Sequence, residues 1–93
     1  MLKHNVYFEG KVQSIGFERN GRRQTAGVID IGEFHFGTDA AERMTVVSGE
    51  LTIKLDGATE WKSYPAGTAF EVAAKSGFDV RASVPTAYLC EFL

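Results

Sequence analysis

No stretch of this chain repeats apolar residues at helical spacing. Instead, short runs rich in Val, Ile, Phe, Tyr and Thr are cut at close intervals by Gly, Asp, Asn or Pro. Successive side chains of a strand point to opposite faces, so alternation broken by turn residues is the mark of strands joined by tight connections. The runs predict strands near 5–9, 11–18, 24–31, 33–37, 43–48, 51–55, 60–64, 68–73, 77–82 and 86–92. Asn20-Gly21, Gly32, Gly49 and Asp56-Gly57 read as antiparallel turns, and Pro65-x-Gly67 frames another. Only "TDAAER" offers a helical turn, with Thr38 or Asp39 as cap and Glu42 at its end. So many short strands in 93 residues must close on themselves or face each other to protect their edges. The expectation is an all-β chain, a single domain over residues 1–93, built as a barrel of the antiparallel two-sheet type.

Charge and cysteine content narrow the function. A formal net charge of −2 offers no electrostatic pull on nucleic acid. No apolar run reaches the length of a membrane-crossing helix. The start "MLKHNVYFEG" lacks the apolar core of a secretory signal, and the single Cys90 has no internal disulfide partner, so a cytoplasmic setting is expected. Cys90 lies in the apolar run "AYLCEFL" and reads as a small buried hydrophobe.

Two half-motifs then resemble those of cupins. In "HFGTDAAERMTVVSG", Glu42 and Gly49 stand at the spacing E-x6-G of the first cupin motif, whose full form is G-x5-H-x-H-x(3,4)-E-x6-G. With a four-residue spacer, the histidine positions hold His35 and Gly37. The second half-motif leaves Pro65-x-Gly67, with Phe70 in the histidine place. A metal needs several imidazoles and a carboxylate converging, and His35 with Glu42 supplies two ligands, so no metal site is expected. His4 lies apart in the N-terminal arm.

Four segments taken together, "NVYFEGKVQSIGF", "MTVVSGEL", "YPAGTAFEV" and "PTAYLCEFL", resemble the pyrimidine/purine nucleoside phosphorylase family of small cupin-like bacterial proteins over essentially the whole chain. The resemblance implies phosphorolysis of purine and pyrimidine nucleosides to free base and ribose 1-phosphate. It also implies no cofactor beyond phosphate as co-substrate, and a homodimer. That chemistry asks for cations to hold phosphate, an aromatic face for the base and a hydrogen-bonding group at the ribose.

Arg23 fits the family pattern best as the phosphate ligand, because a guanidinium fork binds two oxygens at once; Arg22, Lys11, Arg43 and Arg81 are further cations. Thr45 and Ser48 could add hydroxyl hydrogen bonds. Glu42 is the carboxylate for the sugar. Phe36, Phe70, Tyr88 and Tyr7 are candidate stacking surfaces, Phe70 as an apolar wall in a vacated metal position. Alternation places Glu42, Met44, Val46 and Ser48 on one strand face and Arg43, Thr45 and Val47 on the other, so Glu42 and Thr45 cannot both face a central bowl without a bulge. The last run is apolar on both faces, with Ala87, Leu89 and Leu93 opposed to Tyr88, Cys90 and Phe92, which suggests a dimer interface. A non-catalytic, metal-free binding module explains the lost ligands equally well. A metal-dependent dioxygenase or isomerase is disfavoured by the shortage of histidines.

Overall fold

A computed structural model describes residues 2–93. Ten strands run β1 (Lys3–Tyr7), β2 (Val12–Arg19), β3 (Arg22–Ile29), β4 (Gly32–Gly37), β5 (Glu42–Ser48), β6 (Glu50–Leu55), β7 (Lys62–Pro65), β8 (Ala69–Val72), β9 (Gly77–Ala82) and β10 (Thr86–Phe92). They form a six-stranded sheet in the order β1-β2-β3-β10-β5-β8 and a four-stranded sheet in the order β4-β9-β6-β7. Every recorded pairing is antiparallel. The chain is therefore all-β, as expected. Its two sheets face one another as separate layers of jelly-roll type, and no ladder among the described residues joins their edges into a closed barrel.

The turn chemistry is local and holds. Asn20 and Gly21 both take positive φ, 55° and 74°, between the paired residues Arg19 and Arg22, the geometry a two-residue hairpin requires. Two segments depart from expectation. The predicted helical turn at 38–42 is a bend leading into β5, because the Thr38 hydroxyl has other partners: it donates to the Ala73 carbonyl at 2.6 Å and accepts from the Ser76 amide at 3.0 Å. The strand predicted over 5–9 ends at Tyr7 in a short 3₁₀ turn, Phe8–Gly10, where Phe8 and Glu9 adopt left-handed φ of 52° and 58°. That strained backbone is over-determined by packing, with the Phe8 ring 4.9 Å from Phe34 and 5.5 Å from Phe36.

The core lies between the layers. Val12, Ile29, Leu51, Val80 and Phe78 are essentially fully buried, and Phe78 of one sheet meets Phe70 of the other edge to face at 5.6 Å. Phe70 also packs on Tyr64 at 4.9 Å. The core also walls a cavity, which Ile29, Met44, Phe78, Tyr88 and Cys90 line. No helix among the described residues is long and apolar enough to cross a membrane.

Candidate functional site

The inner face of the large sheet can be written as rows of directly opposed residues. One row reads Glu42 on β5, Phe92 on β10, Arg23 on β3 and Glu18 on β2, the step from Phe92 to Arg23 being the next along a register that pairs Glu91 with Gln24. The next row reads Met44, Cys90, Thr25, Gly16 and Lys3, and the third Val46, Tyr88, Gly27, Ser14 and Asn5. Strands lie ~4.8 Å apart, so Glu42 and Arg23 are separated by about 10 Å at the backbone with an aromatic ring between them. They face the same cavity of ≈ 310 Å³, the small end of the range of about 300–1,000 Å³ typical of ligand sites.

Aromatic and charged groups share its wall. Phe36, Phe78, Tyr88 and Phe92 line it together with Arg23 and Glu42. The Arg23 guanidinium sits 5.1 Å above the Phe92 ring and makes no ion pair among the described residues. Glu42 is buried and likewise has no cationic partner there. Burial raises its pKa above the usual 4.5, and the neighbouring Cys90 thiol moderates the rise. Burial and the nearby Glu42 charge push Cys90 up to about 12, so its thiol stays protonated and is no nucleophile at neutral pH. Tyr88 is likewise raised to about 12, mainly by burial, and keeps its phenolic proton.

Gly27 makes room for Tyr88. A Cβ at this position would lie 2.6 Å from the Tyr88 hydroxyl and 2.7 Å from Cζ, so only glycine lets the phenol lie across β3 and shape the cavity floor.

Of the residues expected to form the site, Glu42, Arg23, Phe36 and Tyr88 meet at this cavity, with Tyr7 at its edge. Lys11, Thr45, Ser48 and Phe70 do not line it. Thr45 points to the outer face of the large sheet, opposite Leu89 and Ala69, which resolves the parity conflict in favour of Glu42. Phe70 is 6% exposed and belongs to the core rather than to an open wall. Ser48 ends β5 on an exposed position, and Lys11 is exposed beyond the 3₁₀ turn. Arg43 and Arg81 are engaged by Glu71 and Glu33, at 3.0 Å each.

His35 also faces outwards, its Nδ1 2.8 Å from Asp79 Oδ1, because the inward residues of β4 are Phe34 and Phe36. The cupin spacer is therefore three residues long in this chain: the side chains of Phe36 and Thr38 stand with Glu42 on the cavity wall, where Gly37 between them brings no side chain and His35 takes no part. Two phenylalanines, a threonine and one carboxylate make a poor donor set for a metal. No group of three or more His, Cys, Asp or Glu among the described residues is placed to hold one. The residues that spacing alone left out, Thr25, Phe78, Cys90 and Phe92, share strand parity with Arg23 or Tyr88 or come from the facing sheet.

A family model described as pyrimidine/purine nucleoside phosphorylase matches residues 2–92. A curated protein of that name from Sorangium cellulosum is 76% identical over 93 residues, covering all of both chains. Another from Vibrio vulnificus is 56% identical, again over the full length of both. Among solved structures, a Vibrio parahaemolyticus protein described as of unknown function superposes with TM-score 0.98 at 45% identity, covering 100% of this chain and 99% of that one. An RmlC-like cupin from Shewanella frigidimarina superposes with TM-score 0.77 at 18% identity over 98% of this chain and 82% of its own, a likeness of fold alone. With a family model over residues 2–92 and full-length relatives at 56–76% identity in agreement, the chain belongs to the pyrimidine/purine nucleoside phosphorylase family.

Proposed function

We propose that the protein is a metal-independent phosphorylase that cleaves purine and pyrimidine nucleosides with broad base tolerance. One observation carries the reading: a guanidinium and a buried carboxylate, neither of them ion-paired among the described residues, face one aromatic-walled cavity from positions about 10 Å apart. A buried charge held without a partner, as Glu42 is, costs stability, and such groups gather where a ligand completes them.

A nucleoside would lie with its base against the aromatic rings and its ribose beside Glu42. Phosphate, held by Arg23, approaches C1′ from the opposite side. An oxygen of the phosphate forms the new bond to C1′ as the C1′–N bond breaks, and that electron pair leaves with the base nitrogen. Phosphate gives up a proton on becoming the ribose 1-phosphate ester, and the departing base gains one, so the exchange balances. Glu42 in its charged form stabilises positive charge developing on the sugar, in a site where burial strengthens the interaction. Stacking discriminates between bases less than paired hydrogen bonds do, which supports broad tolerance. Phosphate serves as co-substrate, and the donor set around Glu42 supports the absence of a metal.

The same reading includes a cytoplasmic homodimer. On the outer face of the large sheet, Ile15, Ala26, Leu89, Thr45 and Ala69 stand in one uncharged row across five strands. Val28 (48% exposed) and Val47 (60% exposed) lie beside it. A second copy covering this face would bury it. Leu89→Asp is expected to turn a dimeric sedimentation profile into a monomeric one, and a wild-type protein that sediments as a monomer removes the dimer.

The decisive assay is base release from uridine, inosine and adenosine, with and without phosphate, after chelator treatment. Phosphate-dependent, chelator-resistant release with formation of ribose 1-phosphate is expected. A folded protein that releases no base is instead a binding module.

A further inference from the structure

A second cavity of ≈ 430 Å³ adjoins the first. The two share Tyr7, Arg23, Thr25 and Phe92, so they are neighbouring lobes of one depression with Arg23 on the seam. Their charges differ in sign. The charged groups of the first lobe are Arg23, Asp39 and Glu42, one cation against two carboxylates. Those of the second are Lys3, Arg23 and Glu18, two cations against one carboxylate. An anion is therefore drawn to the second lobe and repelled by the first.

Three details fit this lobe to a small oxyanion. Lys3 and Asn5 are inward-parity residues of β1, opposite Gly16 and Ser14. Lys3 makes no ion pair among the described residues. Asn5 gives one amide hydrogen to Ser14 Oγ at 3.3 Å, and its amide carries a second. Gly16 supplies the space. Its backbone has no positive φ, and a Cβ there would meet its nearest neighbours only at ordinary distances of 3.7 to 3.8 Å. Neither backbone conformation nor close packing demands glycine at this position, and what its bare face leaves open is room between Lys3 and Thr25, its partners on either side.

We propose that this second lobe is the binding site for inorganic phosphate, with Lys3 and Arg23 holding the oxyanion, Asn5 adding a neutral donor and Gly16 keeping the volume open. The assignment rests on the phosphorylase reading for its place in a reaction, but the lobe's affinity for phosphate stands separately. Arg23 serves both lobes. Lys3 is the group specific to phosphate, and the nucleoside lobe does not include it.

The test measures KM for phosphate and for uridine in wild type, Lys3→Gln, Lys3→Arg and Gly16→Val, alongside binding of inorganic phosphate followed by ³¹P line broadening without nucleoside. Losing one charge-assisted contact at an exposed site predicts a rise of about ten-fold in KM for phosphate in Lys3→Gln. KM for uridine stays within about two-fold, and Lys3→Arg restores most of the loss. Gly16→Val, which keeps strand propensity but fills the lobe, gives the same selective rise. An active Lys3→Gln enzyme with unchanged KM for phosphate, or with both KM values raised alike, overturns the assignment. If the wild type turns over no nucleoside yet broadens the phosphate signal in a Lys3-dependent way, the lobe stands and the phosphorylase reading falls. If it neither turns over nor binds phosphate, both fall.

Discussion

The outward face of the small sheet and the inward face of the large one carry similar residue types and treat charge in opposite ways. Outside, Arg81 is bonded to Glu33 at 3.0 Å and stacked 3.8 Å from Trp61, and His35 is bonded to Asp79. Inside, Arg23 and Glu42 have no ion-pair partner among the described residues. Solvent-exposed pairs contribute little and cost little. A buried carboxylate without a cation is a net burden on the fold, and its presence needs a reason beyond folding. Pairing, rather than residue type, separates structural charge from the charge assigned here to chemistry.

Substitutions can break or sharpen that contrast. The largest effect is expected for Arg23→Ala: a loss of about 10²–10³-fold in kcat/KM for phosphate with only a small change in melting temperature, since no ion pair among the described residues is lost and the contact with the Phe92 ring is made by an exposed guanidinium. A fall in stability well beyond the ~1 kcal/mol of an exposed cation–π contact would show Arg23 to be structural. Glu42→Gln should lower kcat by roughly 10²-fold and also stabilise the protein at neutral pH. Because the folded-state pKa of Glu42 is raised, the folded protein holds the proton more tightly than the unfolded chain does. Wild-type stability therefore falls as pH rises from near 4.5 through the raised value, and the advantage of Gln, full above that window, shrinks as pH falls back through it. Thermal melts of both proteins at pH 8 and pH 4 check the sign, and a destabilised Gln variant at pH 8 would contradict the unpaired-charge account.

Gly27→Ala tests how the large sheet holds its cavity in shape. The new Cβ must displace the Tyr88 ring, costing about 1–3 kcal/mol of stability and raising KM for nucleoside several-fold while leaving KM for phosphate unchanged. Equal changes in both constants would mean that Tyr88 shapes the whole depression rather than the nucleoside side. Smallest of all is Arg81→Ala on the outer face, expected to shift stability by less than about 0.5 kcal/mol and activity not at all. An inactive Arg81→Ala would move the functional face to the other side of the molecule.

Strands and turns were legible in the sequence because they are local. Alternation marks β5 as two-faced, and Asn20-Gly21 makes its turn from its own backbone preferences. Parity also showed that Glu42 and Thr45 oppose each other, but not which of the two faces inwards. The end of the first strand at Tyr7 is not legible because the left-handed turn that follows is held by the contacts of Phe8 to Phe34 and Phe36, which lie far along the chain. The three-residue cupin spacer is hidden for a related reason. His35 looks like a ligand in the sequence, and only the inward packing of Phe34 and Phe36 turns it to solvent and brings Phe36 and Thr38 to the cavity.

The sequence by itself determined the all-β class, the positions of the tight turns and the family. Each of these is written in residue identity at short range or in the whole chain's likeness to its relatives. Tertiary structure alone decided that Phe70 is core, that Lys11, Thr45 and Ser48 stand away from the cavity, and that Lys3 shares a lobe with Arg23. The physical reason is that a strand has two faces and many possible neighbours. Which face is buried, and which strands adjoin it, is set by pairings between residues as distant as Gln24 and Glu91, and those distant pairings place the charges of the site.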